Sequence, residues 1–382
     1  MAANHQARRP GRGHRADKLF FPAAAAYTSI AVPASVHGIV TGNPIVPGFA
    51  GVAGHAHELL FGFALAVVAG FLVNRASAYG LSALFSLWLI ARGSYWLHPD
   101  SLTALLASSG FAVAIITLAV PPFWRGAKRW RNKAIAPLLV ALSLMPLLFH
   151  LPRLLDSPWL RFIALEQAVI LLALLMLFMG GRLIAPAAAG AIQQAGGRLE
   201  ARVQPRLEAS LIIVMGVLVI AVTMPRANAI AGLASLVAAG IALVRLLRWQ
   251  LWAAKGRADL WCLGIGMGWL VLGLALLGMR WLGLGLTAGT STHAITMGAL
   301  GTLTTGIMAR VWLLKRHHAP AEWHLIPVMA ALISASTLLR LSVPNHGAAL
   351  ACAAAGWSLA YLLLLGLMYR ARRTPANQTT TR

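Results

Sequence analysis

The sequence predicts an all-α, polytopic membrane protein, a bundle of about twelve transmembrane helices with both termini in the cytoplasm. Three observations carry this: composition, recurrence of apolar runs, and the placement of positive charge. Hydrophobic residues make up 59% of the 382 residues and charged residues 11%, and the mean hydropathy is +0.74. A soluble chain of this length needs a more polar surface. Apolar runs of roughly 20 residues, each able to span a hydrocarbon core of about 30 Å as a helix, recur throughout. They fall at 19–40, 51–73, 79–97, 101–121, 134–151, 160–180, 208–224, 227–247, 259–279, 288–311, 324–343 and 347–370.

The formal charge of +23 does not point to nucleic acid. The basic residues sit in short connections between apolar runs, where they orient helices. With the N-terminus inside and sides alternating, 26 of the 32 Lys and Arg collect on the inner side. One span too many or too few would scramble that alternation. The expected order is a basic segment 1–18, spans one to six over 19–180, a solvated linker 181–207, spans seven to twelve over 208–370, and a disordered tail 371–382. Arg8, Arg9, Arg12, Arg15 and Lys18 precede the first span with no convincing small-residue cleavage site, so a retained helix is expected. Cys262 and Cys352 sit inside apolar runs without metal-type spacing. Trp96, Trp159, Trp249, Trp281 and Trp323 near span ends fit interfacial belts.

Ionisable groups inside a membrane are costly and need a reason. Of the acidic residues, only Glu58 and Glu166 fall well inside a span. His37, His55, His57, His98, His150, His293 and His346 all fall in the outer third or at the outer surface, while His5, His14, His317, His318 and His324 are on the inner side. For His98 and His346, and for His37 and His150 near span ends, interfacial hydrogen bonding is the plain reading. His55, His57 and His293 lie within spans or close to their starts, and imidazole is the commonest metal and haem-iron ligand among side chains.

In Gly54-His-Ala-His-Glu-Leu-Leu-Phe-Gly-Phe63, residues two apart on a helix face nearly opposite ways. His55 shares a face with Glu58, and His57 with Phe61. This predicts a His55/Glu58 polar site and a separate His57 site with an aromatic wall suited to a porphyrin; the plain alternative is a His–Glu pair that locks packing. In span ten, Met297 lies one turn from His293 and is read as packing. Gly298, Gly301 and Thr305 form a small-residue face that fits either close helix contact or a flat cofactor. Gly264, Gly266, Gly268 and Gly273 are read as packing. Glu166 is a candidate proton-relay group, partner of Arg92 or Arg340, or metal neighbour. Arg92 and Arg340 are candidates to pair with cofactor propionates, against simple snorkelling. No phosphate loop, nucleophile elbow or Cys-x-x-Cys-His attachment appears, so any haem is non-covalent.

The 54–63 segment, followed by Val67-Val-Ala-Gly-Phe-Leu72, resembles the hallmark of the NnrS family. So does His293-Ala-Ile-Thr-Met-Gly-Ala-Leu-Gly-Thr302 running to Met308-Ala-Arg310, with weaker echoes at Trp88–Arg92, Leu148–Leu151 and Gly181–Ile184. The resemblance implies a twelve-span protein of the bacterial inner membrane that holds haem b and copper and acts in the nitric oxide response. Carried over by position, it implies metal ligation by His55, His57, His293 and His150. Read from the residues themselves, His57 or His293 is the candidate haem ligand, with Phe61, Arg92 and Arg340 around it, and Glu58 and Glu166 are the candidates for catalytic proton handling. Whether nitric oxide is converted or only bound stays open. The rival readings are a twelve-helix secondary transporter split six plus six and a haem-binding sensor or assembly protein. The 74–80 connection lacks the Gly-rich acidic–basic signature of one large transporter class, and buried carboxylates are few.

Overall fold

A computed structural model of the chain describes residues 16–73, 76–155, 157–200, 203–315, 324–343 and 346–373. The basic segment before residue 16 with His5 and His14, and Arg75, Arg316, His317, His318, Trp323 and the tail after 373, lie outside the described residues. A long helix stands at each of the twelve expected spans: α1 Asp17–Thr41, α2 Gly51–Leu72, α3 Ala78–Leu97, α4 Leu102–Gly126, α5 Trp130–His150, α6 Trp159–Gln194, α7 Pro205–Ala221, α8 Asn228–Arg248, α9 Ala258–Trp281, α10 Ala288–Leu314, α11 Leu325–Ser342 and α12 Gly347–Arg373. Ten are long and apolar enough to cross a membrane on their own account. The other two are α3, diluted by Ser, Gly and Arg92, and α7, whose 17 residues are short for a span of about 20.

Helix ends follow side-chain chemistry. Ser77, Ser101 and Thr287 each accept a hydrogen bond from the backbone N–H three residues on, which satisfies an orphan donor at the starts of α3, α4 and α10. Gly42 closes α1 with φ 71°, a conformation glycine adopts without penalty. The expected linker 181–207 is shorter than the composition suggested: α6 runs on to Gln194. Its Ala-rich stretch 187–195 is strongly helix-forming, and Pro186 is accommodated within the helix.

Consecutive helices pack side by side, and α12 closes on α1. Three helices are inside this ring. The core stretches of α2, α6 and α10 are 72, 72 and 78% buried, against 33–56% for the other seven of the ten. Six helices do lie on either side of the 195–204 connection, but the inner position recurs every fourth helix, so the burial pattern has three parts rather than two. The inner helix α10 meets its rim neighbours α9 and α12 through small residues. A β-carbon added at Gly298 would sit 2.7 Å from Trp269, and one at Gly301 would sit 2.6 Å from Trp357. Close contact, not a vacant slot, is therefore what that small-residue face serves. Gly264, Gly266 and Gly273 are likewise covered, by Leu251, Leu303 and Ile295, whereas Gly268 faces open space. Gly301→Val is expected to cost about 1–3 kcal/mol through overpacking, read as a lower melting temperature in detergent. Gly366→Ala, with nothing within 4 Å of the new carbon, is the near-neutral control.

Two of the inner helices share a local irregularity. In α2 the residues Glu58–Ala64 are π-helical, and in α10 so are Ala294–Ala299. Each π segment begins immediately after a motif histidine, His57 or His293. Such wide turns re-aim side chains and free backbone acceptors, and they gather at functional sites. The carbonyl of Gly62, within the first, accepts from Trp88 Nε1 at 2.9 Å.

Candidate functional site

The polar groups at this end of the bundle form two adjoining clusters, one on each side of α2. His55 and His57 do face opposite ways, as their spacing requires, but their partners differ from the expected ones.

The first cluster surrounds Glu58, which is fully buried. One carboxylate oxygen accepts from Tyr27 OH of α1 and from Trp96 Nε1 of α3 at 2.7 Å. The other accepts from Arg92 Nη1 of α3 and from His57 Nδ1 at 2.8 Å. Arg92 also reaches Ser108 of α4. This is a buried charge with a cation and three neutral donors, the arrangement that makes such burial tolerable. Glu58 therefore pairs with His57, not with His55. It is the first residue of the π segment and faces α3, where Arg92 stands. Arg92 is thereby taken up by Glu58 and is not placed to meet a cofactor propionate.

His57 is enclosed by aromatic rings. Tyr95 stacks on it at 3.7 Å between centroids, Phe61 meets it edge-on at 5.2 Å, and Phe149 lies 4.6 Å away. The expected aromatic wall is present, with Phe61 one of its members. His150, buried at the end of α5, lies 5.2 Å from His57 between ring centres. The ring nitrogen of His57 that faces away from Glu58, Nε2, is buried without a hydrogen-bond partner.

The second cluster joins α1, α2, α10 and α11. The rings of His55 and His293 lie 6.4 Å apart between centroids with planes 22° from parallel. His293 Nδ1 donates to Gly289 O at 2.7 Å, since a carbonyl can only accept. Ser35 Oγ lies 2.8 Å from His55 Nδ1 and also within hydrogen-bond distance of Ala31 O, at 2.7 Å. His293, donating from Nδ1, keeps Nε2 free of that bond, the arrangement a metal-binding histidine has when its other nitrogen is held by an oxygen. Arg340 stands beside this pair: a β-carbon on Gly289 would lie 3.4 Å from its Nη2.

Glu166 belongs to neither cluster. It accepts from Arg280 Nη1 of α9 at 2.7 Å, so neither Arg92 nor Arg340 is its partner, and a bridge between α6 and α9 is its visible role. His37, His98 and His346 are exposed at helix ends, as an interfacial reading expects. Met297 is buried in the core. Among the described residues no three or more His, Cys, Asp or Glu side chains converge as a metal-ligand set.

The residues that sequence reasoning missed are Tyr27, Ser35, Tyr95 and Trp96. Tyr27 and Ser35 stand eight apart, on one i, i+4 ridge of α1 through Ala31, and a polar ridge on an apolar span was a legible sign of buried partners. Trp96 was read as part of an interfacial belt, but its indole N–H turns inward to a carboxylate.

Comparison with curated proteins found no match, and neither did comparison with solved structures. A family model described as NnrS protein matches residues 12–372, nearly the whole chain. The chain belongs to the NnrS family of membrane proteins.

Proposed function

We propose that this protein binds haem b non-covalently between His55 and His293 and acts in the bacterial nitric oxide response, relieving nitrosative stress at the inner membrane. The observation that carries the reading is the histidine pair. Two imidazoles come from two different inner helices, each with Nδ1 beside an oxygen, and their ring centres lie 6.4 Å apart. His55 and His293 would hold the haem iron, and the porphyrin itself would supply the remaining nitrogen donors, so that two imidazoles suffice from the protein. When bound, haem iron supplies a site for diatomic ligands and one-electron chemistry.

The chain's own residues divide the remaining work. Arg340, beside Gly289, supplies positive charge for a propionate at the mouth of the pair. His57, with Glu58 behind it and Nε2 unpartnered, is the group suited to hold or pass a proton next to the haem site. Nitric oxide, small and apolar, reaches this level of the bundle through lipid.

The test is the detergent-purified protein. The expected result is a Soret band, with pyridine haemochrome analysis giving about one haem b per chain. Cells that lack the protein are expected to grow more slowly under nitric oxide. Purified protein with no visible absorption after growth with haem precursor would overturn the reading.

A further inference from the structure

We propose that the opposite, basic end of the bundle holds one small anion of the size of chloride, enclosed between α5, α6, α7 and α8. Arg131 of α5, Arg182 of α6, Glu208 of α7 and Arg245 of α8 line one cavity there. Arg131 Nη1 donates to Glu208 at 2.7 Å, and Arg245 Nη2 donates to its other oxygen at 3.2 Å. Arg182 does not reach the carboxylate; it donates to Asn132 Oδ1 at 2.5 Å and to Phe178 O at 3.3 Å. Three guanidinium groups therefore stand around a single carboxylate that pairs with two of them, which leaves two positive charges unmatched by a described carboxylate.

No other described carboxylate makes up the difference. Asp17 pairs with Lys315, Glu58 with Arg92, Asp100 with Arg161, Glu166 with Arg280, and Asp259 with Arg257 and Arg310; Glu200 is exposed. The aromatic faces of Phe178, 3.4 Å from the Arg182 guanidinium, and Trp249, 5.3 Å from that of Arg245, soften these charges without cancelling them. A cleft lined by an excess of one charge raises the local concentration of counter-ions.

Arg245 is the sharpest sign. It is 3% exposed, yet its Nε–H is buried with no acceptor. Its guanidinium lies across Gly181, where a β-carbon would come within 1.7 Å of Nη2. A bare glycine stands where the arginine must pass, so the chain accommodates this buried cation on purpose. The cavity these groups line offers about 10 Å³ to a water-sized particle, the least that admits one such particle. A monatomic halide, somewhat larger than water, enters with a small shift of the half-exposed Arg182 side chain, whereas a tetrahedral oxyanion or a lipid headgroup needs far more room. The site is separate from the histidine clusters and does not depend on the haem reading.

The experiment uses the full chain purified in gluconate and titrated at constant ionic strength with chloride, bromide or sulfate while thermal unfolding is followed. The expected result is a saturable rise of several degrees with chloride and bromide, none with sulfate, and loss of that rise in Arg245→Gln. Should that variant not fold, Glu208→Gln decides. Removing the only carboxylate raises the uncompensated charge, so its halide dependence is expected to become several-fold tighter. Equal stability of wild type in chloride and gluconate overturns the proposal. So does a Glu208→Gln variant weakened to the same degree in both salts, which is the behaviour of a plain ion-pair network, and so does sulfate acting as well as chloride.

Discussion

Replacing either His55 or His293 by alanine is expected to leave the purified protein without its haem absorbance, whereas His57→Ala is expected to retain it. The two outcomes separate because the histidines of one motif serve opposite sides of α2. His55 meets His293 across the bundle at 6.4 Å. His57 spends Nδ1 on Glu58 and its faces on Tyr95 and Phe149. A graded version follows from the oxygens behind the ligands. Ser35 fixes the ring of His55 from α1, and loss of such an outer partner typically costs 10- to 100-fold in affinity. Ser35→Ala is therefore expected to bind haem about 10- to 100-fold more weakly while folding normally. The measurements are pyridine haemochrome content and optical titration of the apoprotein. Loss of haem in His57→Ala, with retention in His55→Ala, would move the ligand to the other face of α2 and sink the assignment.

Much of this was legible in the sequence because a bilayer imposes simple rules. Helix count and placement follow from apolar length, and all twelve expected spans are helices. The grouping of histidine and buried carboxylate at one level was legible too, since ionisable groups in lipid are rare enough to stand out one at a time. Partner choice was not. A regular helix places Glu58 on the face of His55, but the π segment begins at Glu58, and no residue in Glu58–Ala64 announces an extra residue per turn. Nor does a sequence tell which of twelve helices are inside. Nothing in the apolar content of α6 marks it as central while α8 lies on the rim, because lipid and protein interior accept the same side chains. The three-part burial pattern with α2, α6 and α10 inside thus appears only once the helices are packed.

Membrane burial also changes which single substitutions matter for stability. Arg92→Leu is expected to be among the most damaging in the chain, at about 3–5 kcal/mol, because it removes the cation from a buried pair and leaves the carboxylate behind. Arg92 is 4% exposed and Glu58 0%, so neither can turn to water. Tyr27 and Trp96 would still donate to Glu58, but neutral donors do not balance its charge. Glu58→Gln should cost less, since an amide keeps an acceptor for those donors and strands Arg92 only in part. The double variant Arg92→Leu/Glu58→Leu should recover much of the loss, because a matched apolar pair can be nearly as stable as a buried ion pair. Reversible unfolding in mild detergent, arranged as a double-mutant cycle, reads these differences directly. Single losses under about 1 kcal/mol, the size typical of an exposed pair, or a double loss equal to the sum of the singles, would show that the pair does not act as a unit. The same cycle bears on the site. His57 has its ring nitrogen on Glu58 Oε1 at 2.8 Å, so removing the carboxylate frees the imidazole to rotate. The double variant should then regain stability without regaining any nitric oxide response that depends on His57, which separates the structural work of this network from its chemistry.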